Sequence, residues 1–400
     1  MRLLTFAFLT LVSFVARAQF IEHEERDKRY LVPATWDRGS IHKVGMFTHM
    51  TEILPSCKVE KSSHPQPLDR SPRDLSNIKY QAIFEYSLKE HLDKNYVMGL
   101  TFVRNGKIID QHYQYERRDT DLFTSFSAGK SIISILIGIA LDEGKIRSLD
   151  DQAGVYSARI SKSSYSNIKI RSLLRMSSGI PFTEPDTGNG DAHYFDESVR
   201  NSKGSDISEV LNNWQRQTTG EGKKFYYASI ETAVLAEVLR GAIKQSICSY
   251  AHEKLWEPIG AENDAYFETD GSGNVIGYSG FNATQTDWAK IGVMLANMGK
   301  INSQRVLSED YIDQATNINR QPDGFKFGQA EGSVYGYQFW LRQKTGRYFM
   351  HGSYGQYIGI DKDTKSVIVI HTADPVRVNK IRSLRTFRLF QSLIDATNSN

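Results

Sequence analysis

The sequence predicts a mixed α/β (α+β) protein whose antiparallel sheet is assembled from the two ends of the chain. Near the start, Asn105-Gly106 separates two β-rich runs, residues 96–104 and 107–113, and this dipeptide suits the tight primed turn of a hairpin. Strand patterns return only near the end, whereas residues 145–278 consist mostly of short helical patterns and loops. We therefore expect a sheet flanked by N- and C-terminal helices, with an all-helical lobe inserted between its two halves.

The chain is long enough for two lobes with a cleft between them. Its 400 residues can bury a large core, and a cleft between lobes is a natural place for a small-molecule site. The 49 basic and 46 acidic residues nearly balance, so no nucleic-acid partner is expected. The predicted organisation is a signal peptide at residues 1–18, an extended N-terminal arm at 19–75 and one domain at 76–400, with a sheet lobe at 76–144 and 280–400 and a helical lobe at 145–279.

The first residues have the composition of a secretory signal. A basic start, Met1-Arg2, precedes a short apolar run and the cleavage pattern Ala16-Arg17-Ala18. We predict cleavage after Ala18 and a periplasmic or secreted protein. No later run is long and uncharged enough to span a bilayer, so no membrane span is expected after cleavage. Cys57 and Cys248 would then meet an oxidising compartment, but one pair of cysteines does not decide whether they bond.

The remaining elements follow from local patterns along the chain. The polar, proline-containing stretch at 19–75 predicts an irregular arm lying over the body. The other expected elements are helices at 77–92, 168–176, 207–215, 230–244, 251–258 and about 380–396, and strands at 335–342, 347–351, 356–361 and 366–372.

The candidate nucleophile lies at the start of a predicted buried helix. Thr124 and Ser125 are suitable cap residues, apolar side chains then cover every side of the helix, and Gly144 ends it. Ser127 and Lys130 are three residues apart and share one helix face. A serine hydroxyl needs a base to accept its proton, and a buried lysine with a lowered pKa can be that base.

The Ser-x-x-Lys spacing alone is common, because Ser76 with Lys79 and Ser166 with Lys169 show it too. Several further motifs give it context, and they occur in the order Leu173-Leu174-Arg175-Met176-Ser177-Ser178-Gly179, Phe225-Tyr226-Tyr227-Ala228-Ser229 and His351-Gly352-Ser353-Tyr354-Gly355-Gln356.

With these motifs, the chain resembles the serine β-lactamase and penicillin-binding superfamily. It is most similar to the class C-like branch of esterases, D-aminopeptidases and 6-aminohexanoate-dimer (nylon oligomer) hydrolases. Residues 127–130 resemble the branch's Ser-x-x-Lys box, residues 173–179 its leucine-rich segment, and residues 227–229 its Tyr-x-Ser box. Residues 36–39 and 52–55 also look like the N-terminal arm of the nylon-hydrolase subgroup, so the resemblance covers nearly all of the mature chain.

The resemblance implies a β-lactamase-like fold and a serine hydrolase of the carboxylesterase or amidase type. Ser127 would form an acyl-enzyme with a small ester or amide substrate, and no cofactor or metal is implied. Tyr227 would relay the proton together with Lys130, with its pKa lowered by the lysine charge. Tyr226 is the alternative register, but the spacing to Ser229 favours Tyr227.

Four further residues are candidate oxyanion or substrate contacts. The backbone N–H of Ser353 would be the second oxyanion donor beside that of Ser127. His351 either orients substrate or caps a strand end, and these two roles stay open. Ser229 and Tyr194 are candidate contacts, and the loop at 183–201 is expected to cover the cleft.

Two other functions are compatible with the same motifs. One is a β-lactamase or D,D-peptidase, although the expected cleft strand carries His351-Gly352-Ser353 where such enzymes carry Lys-Thr-Gly. The literal Lys344-Thr345-Gly346 falls between two strand patterns and reads as a hairpin turn. The other is a non-catalytic binding or sensor protein on the same fold. The natural substrate and the oligomeric state leave no signal in the sequence.

Overall fold

The structure is a computed structural model. It describes residues 20–21, 29–37, 39–185, 190–200, 204–322, 325–327, 333–343 and 345–398. The predicted signal peptide at residues 1–18 and the Lys344 of the hairpin turn lie outside these ranges.

Short strands and helices follow one another through the described residues. The strands are β1 (Phe20–Ile21), β2 (Val32–Pro33), β3 (Ser56–Val59), β4 (Lys79–Gln81), β5 (Glu85–Ser87), β6 (Val97–Arg104), β7 (Lys107–Tyr113), β8 (Phe123–Thr124), β9 (Ala265–Glu268), β10 (Phe281–Ala283), β11 (Lys300–Ile301), β12 (Gln304–Arg305), β13 (Lys326–Phe327), β14 (Ser333–Tyr335), β15 (Trp340–Arg342), β16 (Tyr348–Gly352), β17 (Gln356–Asp361) and β18 (Ser366–Thr372). The helices are α1 (Lys43–Thr48), α2 (Met50–Ile53), α3 (Leu88–Lys94), α4 (Gly129–Asp142), α5 (Ile170–Leu174), α6 (Asp191–Arg200), α7 (Ile207–Asn213), α8 (Ser229–Ile243), α9 (Ile247–Ala251), α10 (Gln285–Ala296), α11 (Glu309–Thr316) and α12 (Lys380–Asn398).

The main sheet joins the two ends of the chain, as predicted. Its strands run antiparallel in the order β13-β14-β15-β16-β17-β18-β6-β7. The β6–β7 hairpin turns at Asn105-Gly106, where both residues have the positive φ that a primed turn requires. β18 pairs with β6, so the C-terminal strands complete the sheet that the early hairpin begins.

Helices cover both faces of this sheet because successive side chains of its central strands are buried on opposite sides. On β18, Ile368 and Ile370 join a cluster that includes buried residues of α12, whereas Val367 and Val369 join a second cluster with α4, α8 and α10. A strand buried on both faces has a continuous apolar sequence, as residues 367–370 of β18 do. The second cluster extends into the segment between residues 145 and 279, where α5 to α9 lie.

A smaller sheet connects the N-terminal arm to the start of α4. Its strands lie in the order β3-β9-β10-β8, and β8 leads directly into the turn that carries Ser127. A disulfide joins Cys57 on β3 to Cys248 on α9, which closes a separation of 191 residues. The pairing that the sequence left open is therefore formed in this structure.

Several local predictions are corrected by the structure. The predicted helix at 77–92 is instead the β4–β5 hairpin followed by α3. Tyr80 and Tyr86 pair across the hairpin with ring centroids 5.7 Å apart, and their burial outweighs local helix propensity. The Ser87–Glu90 capping box was the missed signal that α3 begins only at Leu88.

Other differences concern the arm and the boundaries of elements. Residues 19–75 are less irregular than predicted, because they contain α1, α2 and β3 in addition to extended segments. The loop predicted at 183–201 contains α6, and the segment predicted as all-helical contains β9. The predicted strand at 335–342 is two strands, β14 and β15, joined by a turn. Gly144 has a φ of 69° just beyond the end of α4, as expected of a residue that ends a helix.

Within the ranges that the structure describes, no helix combines the length and the apolar character needed to cross a bilayer.

Candidate active site

The turn that carries Ser127 is fixed by backbone contacts to β10. Ser125 N donates to Phe281 O at 3.0 Å, and Phe281 N donates to Ser125 Oγ at 2.9 Å. Phe126 follows with a φ of 45°, a backbone region that few non-glycine residues adopt. A short 3₁₀ turn at Phe126–Ala128 then places Ser127, partly buried, at the wall of an open cavity. The expected capped helix thus begins later, at Gly129, and Ser127 precedes it.

Two glycines allow the nucleophile turn to pack this tightly. A Cβ atom at Gly129 would lie 2.9 Å from Ser125 Oγ, and one at Gly352 would lie 2.1 Å from Ser125 O. Gly352 ends β16, so its lack of a side chain lets the end of this strand lie directly on the turn. Ser353 follows and lines the same cavity as Ser127, which brings the two predicted oxyanion residues to one site.

Lys130 is buried next to Ser127. Its Nζ donates to Ser127 Oγ at 3.0 Å and to Tyr278 O at 2.5 Å. Only 1% of Lys130 is exposed, and this burial lowers its pKa to about 8. At neutral pH a fraction of the amine is therefore uncharged, and an uncharged amine can accept the serine proton.

Charged side chains around the cavity also act on the Lys130 amine. Glu184 and Asp196 raise its pKa, whereas Arg377 and Arg200 lower it. The charges are paired, since Arg200 Nε lies 2.7 Å from Asp196 Oδ1 and Arg377 Nη2 lies 3.7 Å from Glu184 Oε1. These opposing charges offset one another, so burial remains the largest cause of the lowered pKa.

A buried network holds the carbonyl that Lys130 contacts. The Tyr278 hydroxyl donates to Asp196 Oδ1 at 2.9 Å, and Arg200 bridges Asp196 to Glu268, with its Nη1 2.6 Å from Glu268 Oε2. Tyr278 is therefore anchored at its hydroxyl end. Its carbonyl is thereby positioned to accept from the Lys130 ammonium without supplying a negative charge.

Tyr227 is brought to the same place, as the motif predicts. Lys130 Nζ lies 5.2 Å from the centre of its ring, and a hydrogen bond between its hydroxyl and Ser127 favours its ionised form. Burial, reinforced by the charge of Glu184, nevertheless raises the pKa of Tyr227 above its usual value. The expected lowering of this pKa is therefore wrong. The phenol is neutral at rest, and its ring is held by stacking on Trp340 at 5.5 Å.

The two other members of the tyrosine box differ in placement. Ser229 lines the cavity at the start of α8, where its N and Oγ donate to Glu184 at 2.7 and 2.8 Å. Tyr226 is 50% exposed. The register that assigns Tyr227 to the site therefore agrees with the geometry.

His351 and Tyr194 are the two remaining candidate contacts. The His351 ring stacks on Tyr357, its cross-strand neighbour, with centroids 4.4 Å apart. Burial lowers the pKa of His351 to about 3, so the ring is neutral. Tyr194 lies on α6 and is 69% exposed. Neither is among the described residues that line the cavity.

Sequence reasoning missed much of the cavity wall. The cavity is open to solvent, and its unpredicted lining residues include Trp36, Met50, Glu184, Asp196, Arg200 and Arg377. The segment at 183–201 was expected to cover the cleft, and α6 within it does contribute to the wall. The arm residues carried no motif that pointed to the site.

The arrangement is suited to acyl transfer through a serine ester. It combines a hydroxyl, a buried amine of lowered pKa, a neutral phenol and the two predicted oxyanion residues, Ser127 and Ser353, which line one cavity. Among the described residues, no group of three or more His, Cys, Asp or Glu side chains is placed to hold a metal ion.

The chain belongs to the beta-lactamase family, since the sequence model of that family matches residues 90–389. Within the wider superfamily it is similar to the 6-aminohexanoate-dimer hydrolase of Paenarthrobacter ureafaciens, with 24% identity over 339 residues, 82% of this chain and 84% of the relative.

Solved structures show the same fold. A Bacillus anthracis protein, provisionally described as a 6-aminohexanoate-dimer hydrolase, superposes with a TM-score of 0.82 at 22% identity, over 92% of this chain and 97% of that one. A Bacteroides dorei protein provisionally described as a beta-lactamase gives a TM-score of 0.57 at 18% identity, over 76% of this chain and 96% of that one.

Proposed function

We propose that this protein is an exported serine hydrolase that cleaves small esters or amides through an acyl-enzyme at Ser127. The observation that carries the proposal is the 3.0 Å contact between Lys130 Nζ and Ser127 Oγ at the wall of an open cavity. The printed name of the Paenarthrobacter relative denotes hydrolysis of an amide dimer. That name supports a hydrolytic reaction on a small substrate here as well.

Acylation begins from the uncharged form of Lys130. The amine accepts the Ser127 proton as Oγ bonds to the substrate carbonyl carbon, and the carbonyl oxygen gains negative charge. The backbone N–H groups of Ser127 and Ser353 donate to that oxygen. Tyr227, neutral and beside both groups, passes a proton to the leaving oxygen or nitrogen and is reprotonated by Lys130.

Deacylation uses the same two groups, Lys130 and Tyr227, with water as the nucleophile and Ser127 as the leaving group. A water molecule takes the place of the departed alcohol or amine, loses its proton to the same pair of groups and attacks the acyl carbon. Ser127 then leaves with a proton and the acid is released. In each half-reaction, the Lys130–Tyr227 pair therefore acts as base towards the attacking hydroxyl or water and as acid towards the leaving group.

A β-lactamase or D,D-peptidase activity is less well supported. The strand that ends at the cavity carries His351-Gly352-Ser353, and the His351 ring stacks on Tyr357 instead of lining the cavity. At the position where Lys-Thr-Gly enzymes carry their lysine, this strand carries His351. If the protein is instead a sensor that is acylated without turnover, intact mass should detect a lasting penicilloyl adduct.

The export part of the proposal rests on residues 1–18 and on the disulfide. The Cys57–Cys248 bond is of a kind that persists in oxidising compartments. We therefore propose a periplasmic or secreted location. N-terminal sequencing of protein recovered from the native compartment should begin at Gln19, and recovery of Met1 would refute cleavage.

The test compares Ser127→Ala with Ser76→Ala, because Ser76 has the same spacing to a lysine but is exposed. Intact mass is recorded after incubation with a fluorophosphonate, p-nitrophenyl acetate and a penicillin. We expect Ser127→Ala to lose adduct formation and at least about a thousandfold in ester turnover, with Ser76→Ala unchanged. Labelling that persists without Ser127 would reject this serine as the nucleophile, and a lasting penicilloyl adduct would favour the sensor.

A further inference from the structure

We propose that the N-terminal arm forms the acyl-chain subsite of the cavity, with Trp36 selecting linear aliphatic acyl groups. The inference rests on the proposed function, since it specifies the substrate of the same site. Trp36 and Met50 lie outside the family match at residues 90–389, yet both line the cavity with Ser127. Substrate selection would thus depend on a part of the chain that the family's common domain does not include.

The arm completes an apolar wall next to the nucleophile. The Trp36 ring packs on Phe126 with centroids 6.1 Å apart, and Phe126 packs on Tyr354 at 5.1 Å. Met50, Phe126 and Tyr354 are 2%, 7% and 6% exposed, whereas Trp36 is only partly buried. The indole therefore offers most of the apolar surface that a substrate could cover on this wall.

Ring packing holds the wall in position. Phe47 of α1 contacts Phe126 at 4.8 Å and Tyr354 at 5.2 Å, which ties the arm to the nucleophile turn and to the end of β16. The Trp36 Nε1 atom donates no hydrogen bond to any described residue. The indole is therefore positioned by its apolar contacts, and a change in its size alters the cavity surface without removing a polar interaction.

The wall adjoins the position of the substrate carbonyl. Phe126 immediately precedes Ser127, and Tyr354 immediately follows Ser353. The N–H groups of Ser127 and Ser353 are those proposed to bind the oxyanion. A chain attached to the carbonyl carbon therefore begins beside this wall.

The leaving group, in contrast to the acyl chain, must lie next to the proton relay. Tyr227 packs among Tyr335 and Trp340, at 6.1 and 5.5 Å between ring centroids. None of these three aromatic residues is among the described residues that line the cavity with Trp36. The leaving group is therefore assigned to the Tyr227 side and the acyl chain to the arm.

The rest of the cavity favours the same assignment. The wall contributed by α6 and by the segment before α12 carries Asp196, Arg200 and Arg377, and Glu184 lies beside Arg377. Methylene groups gain little by covering paired charges, whereas they gain by leaving water against an indole face. A linear aliphatic chain would thus extend over Trp36.

The test measures how the rate depends on acyl length at a constant leaving group. Wild type, Trp36→Ala and Trp36→Phe are compared on p-nitrophenyl acetate, butyrate and hexanoate. We expect wild-type kcat/KM to rise with chain length. Trp36→Ala should lose about tenfold on hexanoate and less than about twofold on acetate, and Trp36→Phe should lie between. Phe84→Ala, at the exposed tip of the β4–β5 hairpin, is the matched aromatic control and should keep the wild-type profile.

Three results would overturn the subsite. One is an equal loss on all esters, which would mean that Trp36 only stabilises the arm. Another is an unchanged preference for hexanoate. The third, measured on an additional series of acetate esters of longer alcohols, is a loss confined to that series, which would assign the arm to the leaving group. If Trp36→Ala does not fold, Trp36→Leu and Trp36→Phe carry the same comparison because both keep an apolar contact with Phe126.

Two different outcomes distinguish failure of the acyl subsite from failure of the proposed hydrolase function. Ser127-dependent turnover of acetate with a chain-length profile indifferent to Trp36 would reject the subsite alone. Absence of Ser127-dependent labelling and turnover in wild type would reject the hydrolase, and the acyl subsite with it.

Discussion

Lys130 and Lys290 are the two most deeply buried lysines among the described residues, and their surroundings assign them opposite roles. Lys130 lies in the first turn of α4 and Lys290 lies in α10, with 1% and 0% of their surface exposed. Lys290 Nζ lies 2.9 Å from Glu262 Oε1 and 3.6 Å from Asp287 Oδ1. Lys130 instead contacts a serine hydroxyl and a backbone carbonyl.

The contrast shows what makes a buried lysine chemically useful. A carboxylate neighbour compensates the positive charge and keeps the side chain as a structural cation. A neutral acceptor leaves the cost of burial uncompensated, which lowers the pKa of Lys130 to about 8. Glu184 and Asp196 do raise this pKa, but each is paired with an arginine.

The largest expected effect is on turnover by Lys130→Met. Methionine keeps the length and the apolar stem but cannot accept the Ser127 proton, so kcat/KM for p-nitrophenyl acetate should fall by about a thousandfold. The circular dichroism spectrum and the free energy of unfolding should change little. Retention of more than about a tenth of the activity would contradict the role of Lys130 as base.

Lys290→Met is the matched variant and should behave in the opposite way. Removing the cation leaves Asp287 fully buried without its partner, so the free energy of unfolding should fall by about 3 kcal/mol. The folded fraction should keep wild-type kcat. Urea denaturation and active-site titration with a fluorophosphonate measure the two quantities, and a variant that folds normally but is inactive would refute the distinction.

A smaller effect is expected for Tyr227→Phe. The change keeps the ring on Trp340 but removes the hydroxyl that relays the proton, so single-turnover acylation should slow by about a hundredfold. Because Tyr227 and Lys130 act on one proton path, the double variant with Lys130→Met should be little slower than Lys130→Met alone. Additive losses, or an active Tyr227→Phe, would exclude a coupled Ser127, Lys130 and Tyr227 mechanism.

The smallest expected effect is a shift in the pH dependence of acylation. Lys130 must be uncharged to accept the proton, so kcat/KM should fall about tenfold per pH unit below a pKa of about 8 and level off above it. Glu184 raises this pKa, hence Glu184→Gln should move the profile to lower pH. The glutamine oxygen can still accept from Ser229 N, and its NH2 group can donate to Ser229 Oγ, which makes the variant a conservative one.

A profile that moves to higher pH in Glu184→Gln would show that Lys130 does not control the rate. An unchanged profile in that variant would instead mean that the titrating group lies elsewhere.

Features fixed by short-range pattern were predictable from the sequence alone. The Asn105-Gly106 hairpin, the apolar runs of β17 and β18 and the adjacency of Ser127 and Lys130 each depend on residues a few positions apart. Tyr227 also reached the site as expected, because its motif fixed the register relative to α8.

Long-range contacts decided what local pattern could not. The helix expected at 77–92 became a hairpin because Tyr80 and Tyr86 are buried together in the core, and that burial outweighs local propensity. The disulfide between Cys57 and Cys248 depends on β3 lying beside α9, 191 residues away.

The chemistry of the site likewise depends partly on sequence motifs and partly on long-range packing. The order of the motifs and their family resemblance identified the residues that could serve as nucleophile, base and relay, whereas spacing alone did not. Tertiary packing set the charge states, since burial lowers the pKa of Lys130 and raises that of Tyr227. It also decided that Trp36 lines the cavity, because that placement depends on packing against Phe126, 90 residues further along the chain.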